Sequence, residues 1–140
     1  MKKESSVCNC VNIRRAAQSV TEIYDGHLAP SGLKIGQFSM LKHIQAMAPV
    51  NVSRLAEKMR LDRTTLVRGL KTLEKDGLIL DTAETGTRSR SLTLTQKGED
   101  VLNTAVKLWE QAQKHIENKL GYGTLKDLTA LLLKIESLTP

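Results

Sequence analysis

Apolar residues recur at three- and four-residue spacings over residues 10–28, at Cys10, Ile13, Ala17, Val20, Tyr24 and His27 or Leu28. That spacing predicts an amphipathic helix. Ala29-Pro30-Ser31-Gly32 then opposes helix continuation. A second helix follows over about residues 37–47, with Phe38, Leu41, Ile44 and Met47 or Ala48 inward, and Pro49 ends it. Two short helices come next, about 53–59 and 63–75, separated only by a turn near Arg60-Leu61-Asp62. Asp62 stands at the N-cap position of the second, where its carboxylate can accept from the free N–H of Thr64 or Thr65. Gly77 is suited to the left-handed position that closes the same helix.

The period then shortens. Leu78-Ile79-Leu80 is a short apolar run, and Leu92 and Leu94 alternate with Ser91, Thr93 and Thr95, as in a half-buried strand. The polar stretch 82–87, which contains Gly86, predicts a two-stranded hairpin with a charged tip. A long helix opens at Thr95-Gln96-Lys97-Gly98-Glu99 and carries the apolar residues Val101, Leu102, Ala105, Leu108, Trp109, Ala112, Ile116 and Leu120. Gly121-Tyr122-Gly123 interrupts it, and a last helix, 125–138, is apolar at Leu125, Leu128, Leu131, Leu132, Ile135 and Leu138. The fold class expected is mainly α with a small β-hairpin.

Composition agrees with that expectation. The chain has 140 residues, one domain's worth, and 40% are hydrophobic with only four aromatics, so aliphatic side chains must build the core. No run of about 18 apolar residues occurs, and Met1-Lys2-Lys3-Glu4-Ser5-Ser6 lacks the apolar stretch of a signal peptide. Cys8 and Cys10 stand too close in sequence to staple distant parts of a fold. A reducing, cytoplasmic setting without membrane contact is expected.

The net charge of +6 is unevenly placed. Arg54, Lys58, Arg60, Arg63, Arg68 and Lys71 fall within 18 positions that contain only Glu57 and Asp62 as acids, whereas residues 96–140 are neutral. On a helical wheel Leu70 and Leu73 lie within about 40° of Leu66, and Thr64, Arg68, Lys71 and Lys75 lie within about 40° of the opposite pole. One face packs and the other is cationic and hydroxylated, while Gly69 on the packed side admits a close neighbour. A short helix, a tight turn and a helix of this kind compose a helix-turn-helix, whose second helix enters the DNA major groove. Arg88 and Arg90, two residues apart beside the outgoing strand, point to one side and can reach a neighbouring minor groove or its phosphates; the alternative is that they only solubilise an exposed strand edge. A basic helix docking an acidic protein partner is the competing reading of the charged face.

Residues 52–59, then Asp62-Arg63-Thr64-Thr65-Leu66-Val67-Arg68, Leu73-Glu74-Lys75-Asp76-Gly77-Leu78-Ile79 and Leu92-Thr93-Leu94-Thr95-Gln96-Lys97-Gly98 resemble, in order and spacing, the MarR (multiple antibiotic resistance regulator) family. The resemblance spans nearly the whole chain. It implies a single winged helix-turn-helix unit over 1–140, with a DNA-binding lobe over about 36–98 and dimerisation helices over about 8–28 and 99–138. It further implies a homodimer on pseudo-palindromic double-stranded DNA, usually a repressor released by a small aromatic or other ligand, or by oxidation. By position it places Arg63, Thr64, Thr65, Arg68 and Lys71 on the recognition helix, with Ser53 and Arg54 ahead of them and Arg88 as the wing arginine. The family often carries an Asp two residues before that arginine, where Gly86 stands here.

The Leu-rich last helix supports dimerisation independently, since it exposes a large patch if left alone. Cys10, fourteen residues before Tyr24, resembles the peroxide-sensing cysteine and a tyrosine of the organic hydroperoxide branch, but the second tyrosine expected four residues after the cysteine is Arg14. Cys10 is either that sensor or a small apolar residue on a buried helix face. Arg14, Arg15, Tyr24, His27 and His43 are candidates for an effector pocket. The scattered histidines do not form a metal motif, and no nucleophile elbow, P-loop or dinucleotide fingerprint is present. No metal, no cofactor and no enzymatic activity are expected.

Overall fold

The computed structural model describes residues 2–84 and 89–140. Among these described residues, six α-helices and two strands follow one another as α1 (Asn9–Leu28), α2 (Ile35–Met47), α3 (Val52–Met59), α4 (Arg63–Lys75), β1 (Ile79–Asp81), β2 (Leu92–Leu94), α5 (Gln96–Leu120) and α6 (Tyr122–Glu136), with a 3₁₀ turn at Ala29–Ser31. The strands pair antiparallel with Ile79 opposite Leu94 and Asp81 opposite Leu92. Val50 adds a bridge to Leu92, which the sequence pattern does not reveal. Together α2, α3, α4 and the hairpin form a winged helix-turn-helix lobe.

The lobe's core is aliphatic. Leu41, Ile44, Leu55, Leu66, Leu70, Leu73, Leu92 and Leu102 are fully buried, joined by Leu28 from the end of α1. Phe38 and Trp109 stack across α2 and α5 with ring centroids 5.9 Å apart. Among the described residues no helix is long and apolar enough to cross a membrane.

Two boundaries and the cover of one helix face differ from the sequence expectation for physical reasons. The strand after α4 starts at Ile79 rather than Leu78, because Leu78 closes the helix: its N–H donates to the Leu73 carbonyl (3.0 Å), the Gly77 N–H donates to Glu74 (3.0 Å), and Gly77 takes a left-handed φ of 74°. The last helix starts at Tyr122 rather than 125, because Gly121 alone, at φ 87°, makes the break and Gly123 is helical. The apolar stripe of α1 is covered only at its end, since Ile13 and Val20 stay exposed and Leu28 is the helix's one buried residue.

Candidate nucleic-acid interface

The turn between α3 and α4 is fixed at both sides. Asn51 caps α3, its Oδ1 accepting from the Arg54 N–H at 2.8 Å. At the other end the Arg60 N–H donates to Glu57 (3.2 Å) and the Leu61 N–H to Ala56 (3.1 Å), the same closure that ends α4, with Arg60 at φ 55° in the slot glycine usually fills. Two residues later Asp62 caps α4. Its Oδ1 accepts from the Thr65 N–H (2.7 Å) and its Oδ2 from the Thr65 hydroxyl (2.9 Å). The backbone bond from Thr65, then the Thr65 hydroxyl, hold the Asp62 carboxyl below its ordinary value. A depressed native pKa means that the cap stabilises above the unfolded value of about 3.9 and is lost as pH falls through the lower native value. The melting temperature of Asp62→Ala is therefore expected to lie below the parent's at pH 7 and to converge on it in acid; an equal gap at both pH values would show that the charge is irrelevant.

This turn sets the axis of α4 and thereby what its faces meet. Leu66, Leu70 and Leu73 are buried, whereas Arg63, Thr64, Arg68, Lys71 and Lys75 are exposed. Arg63, Thr64, Val67, Arg68 and Lys71 line a hollow of about 420 Å³ on the outer side. Gly69 lies against α2: a Cβ there would stand 2.3 Å from Cε and 2.7 Å from Sδ of Met40. Arg63 also ties the starts of the two helices together, donating to the Ser53 hydroxyl at 3.2 Å. Ser53 and Arg54 are exposed in the first turn of α3.

The hairpin base brings a second group of charges beside α4. Arg90 donates through Nε to Asp81 Oδ2 at 3.0 Å and pairs through its terminal nitrogen with Glu74 in the last turn of α4. Its side chain is 29% exposed. Asp81 Oδ1 also accepts from the N–H groups of Ala83 and Ser91, each at 2.9 Å, and the bond from Ser91, then that from Ala83, lower the Asp81 pKa. Asn51, Val52, Ser53, Arg63, Ser89 and Arg90 together line a smaller cavity of about 100 Å³ between the two helix starts and the hairpin. Arg88 and Gly86 lie outside the described residues. Sequence reasoning missed Asn51, although its residue type just before Val52 is a cap signal, and it missed Asp81 and Glu74 as partners of Arg90.

The remaining candidates are spread out. Cys8 and Cys10 are both exposed, at and just inside the start of α1, and Tyr24 sits about 21 Å further along the same helix, bonded to Gln113 of α5. The chain therefore does not itself bring Cys10 and Tyr24 together. Among the effector-pocket candidates, His27 approaches His115 with ring centroids 5.4 Å apart and bonds the Ile23 carbonyl through Nδ1, and His43 bonds the Ser39 carbonyl. Arg14 and Arg15 are exposed on α1; Arg15 instead lines a groove with Lys2, Lys3, Glu4 and Asn12.

Comparison with known proteins converges on one family. The MarR family model matches residues 33–86. The HTH-type transcriptional regulator SarZ of Staphylococcus epidermidis is 29% identical over 89 residues, which are 63% of this chain and 60% of SarZ, so the chain matches less than two thirds of that relative's length. The transcriptional regulator MosR of M. tuberculosis, solved in complex with DNA, superposes with a TM-score of 0.79 at 34% identity over 95% of this chain and 99% of MosR. The transcriptional repressor CouR bound to p-coumaroyl-CoA gives 0.81 at 28% identity over 89% of this chain and 88% of its own. With the helix-turn-helix, the hairpin and both flanking helical segments thus matched over nearly the full length of MosR, the chain belongs to the MarR family of winged-helix transcriptional regulators.

Proposed function

We propose that the chain is a homodimeric, sequence-specific double-stranded DNA-binding transcriptional repressor, released from a pseudo-palindromic operator by a small-molecule effector. The observation that carries this reading is the outer face of α4, where Thr64, Arg68 and Lys71 stand exposed on a helix whose opposite face is locked into the core. A helix so held is rigid enough to read base edges in the major groove. Arg68 forks onto a guanine; Thr64 and Lys71 contact neighbouring bases or phosphates; Ser53, Arg54 and Arg63, at the starts of the two helices, seat the backbone. Thr65 contributes through the Asp62 cap, its hydroxyl being bonded there. Arg88 completes the interface from the wing. MosR bound to DNA supports the nucleic-acid partner, and CouR, a repressor bound to p-coumaroyl-CoA, supports release by an organic effector.

Selection of genomic fragments at near-physiological salt, where phosphate contacts alone do not hold DNA tightly, tests the reading. An inverted repeat with half-sites about one helical turn apart is expected, and recovery without sequence preference would refute it. On the selected site Arg68→Ala is expected to lose about 1–3 kcal/mol, roughly 5- to 150-fold in affinity. Fluorescence anisotropy checks this; the same loss on scrambled DNA would assign Arg68 to a phosphate instead.

A further inference from the structure

We infer that Arg90 is a positioning residue that fixes the wing against the recognition helix through Asp81 and Glu74, rather than a DNA contact. Its consequence for DNA rests on the function proposed above; the contact itself does not. The sheet is only three residue pairs long, from Ile79–Leu94 to Asp81–Leu92, and a two-stranded hairpin of that size holds its own direction poorly. Just past the last pair the structure concentrates its bonds. Asp81 accepts from the N–H of Ala83, the N–H of Ser91 and Nε of Arg90, and the Thr82 N–H donates to the Ser91 carbonyl at 2.7 Å. Apart from the local bond from Ala83, these ties join one side of the hairpin to the other. Arg90 alone among them also reaches out of the sheet, to Glu74 on α4.

A planar guanidinium can face two carboxylates at once along different edges, which a lysine ammonium on a flexible stem does not reproduce. With Arg90, Glu74 and Asp81 side chains 29%, 34% and 30% exposed, the pairs are shielded from water more than ordinary surface pairs. The placement also answers a gap in the sequence. Where the resembling pattern often has an Asp, this chain has Gly86, which has no charge to offer. The acids Asp81 and Glu74, bridged by Arg90, supply a fixed charged tie at the base of the hairpin instead.

Two readouts test the assignment, one of them without DNA. In the free protein, amide exchange at Ala83 and Ser91 is expected to rise about tenfold in Arg90→Ala and in Arg90→Lys, while Leu70 and Leu73 in α4 stay as protected as in the parent. Unchanged exchange at Ala83 and Ser91 would overturn the inference whether or not the protein binds DNA. On the selected operator, Arg90→Ala is expected to weaken binding about three- to tenfold with the salt dependence unaltered, and Asp81→Asn to do the same without adding to Arg90→Ala. A fall in the log–log salt slope of about 0.9 would make Arg90 a phosphate contact and overturn the positioning role. If the parent selects no DNA sequence, the functional reading fails while the exchange result still decides the tie.

Discussion

Gly98→Ala is expected to cost about 3 kcal/mol of stability or more, although alanine is the better helix former by about 1 kcal/mol. Gly98 is buried in the first turn of α5, and a Cβ there would stand 2.0 Å from the Leu78 carbonyl oxygen and 3.0 Å from its carbon. That carbonyl cannot swing aside. It accepts the Thr95 N–H at 3.0 Å, while the Leu78 N–H is held by Leu73 and its side chain is buried. Around it the Thr95 hydroxyl donates to the Gly77 carbonyl (2.6 Å) and accepts from the Gly98 N–H (3.0 Å), and Lys97 Nζ donates to the Asp76 carbonyl (2.9 Å). The start of α5 thus clasps the end of α4, and a methyl group at Gly98 pries the clasp open. For a domain of this size the loss corresponds to a fall in melting temperature of about 10 °C. Gly36→Ala in the first turn of α2 is the control, because a Cβ there meets nothing within 4 Å and the helix should gain slightly. Thermal melts of the two variants decide the matter; a Gly98→Ala loss under about 1 kcal/mol would mean that the α4–α5 junction yields easily.

The clasp illustrates what a linear pattern carries and what it does not. Helices α2, α4 and α5 were legible because each buries one face, so their apolar spacing records the packing directly. The Asp62 cap and the left-handed Gly77 were legible because both act within a few residues of their own position. The outer face of α4 was legible for the same reason: its polarity is the complement of the buried stripe. Gly98 was not, because its neighbour is a backbone carbonyl twenty residues away that appears only when α5 folds back on the end of α4. Nor was the bridging of Arg90, whose partners lie nine and sixteen residues away and depend on hairpin register. The stripe on α1 was read correctly as amphipathic, yet most of it finds no cover within the chain. Periodicity states that a face wants burial without stating against which surface.

That uncovered surface leads to the largest functional effect expected. Helix α6 has no buried residue: Leu131, Leu132 and Leu133 are 54%, 48% and 59% exposed, and Leu138 just beyond it is 80% exposed. With Ile13 and Val20 on α1 they leave more apolar surface open than a solitary small protein ordinarily tolerates. The homodimer proposed above would cover it and would present two α4 helices to one duplex, the arrangement an inverted-repeat operator demands. Leu131→Glu combined with Leu132→Glu should therefore leave each chain folded, since neither side chain supports the core, yet yield a monomer by sedimentation equilibrium at micromolar concentration. Once one lobe is bound, the second finds its half-site at millimolar effective concentration, so losing the link is expected to weaken binding to the full operator by about 10²- to 10⁴-fold. Binding to an isolated half-site should change little, because α3, α4 and the hairpin are untouched. A double variant that sediments as a dimer, or a monomer that binds the full operator as tightly as the parent, would show that α6 serves some other surface.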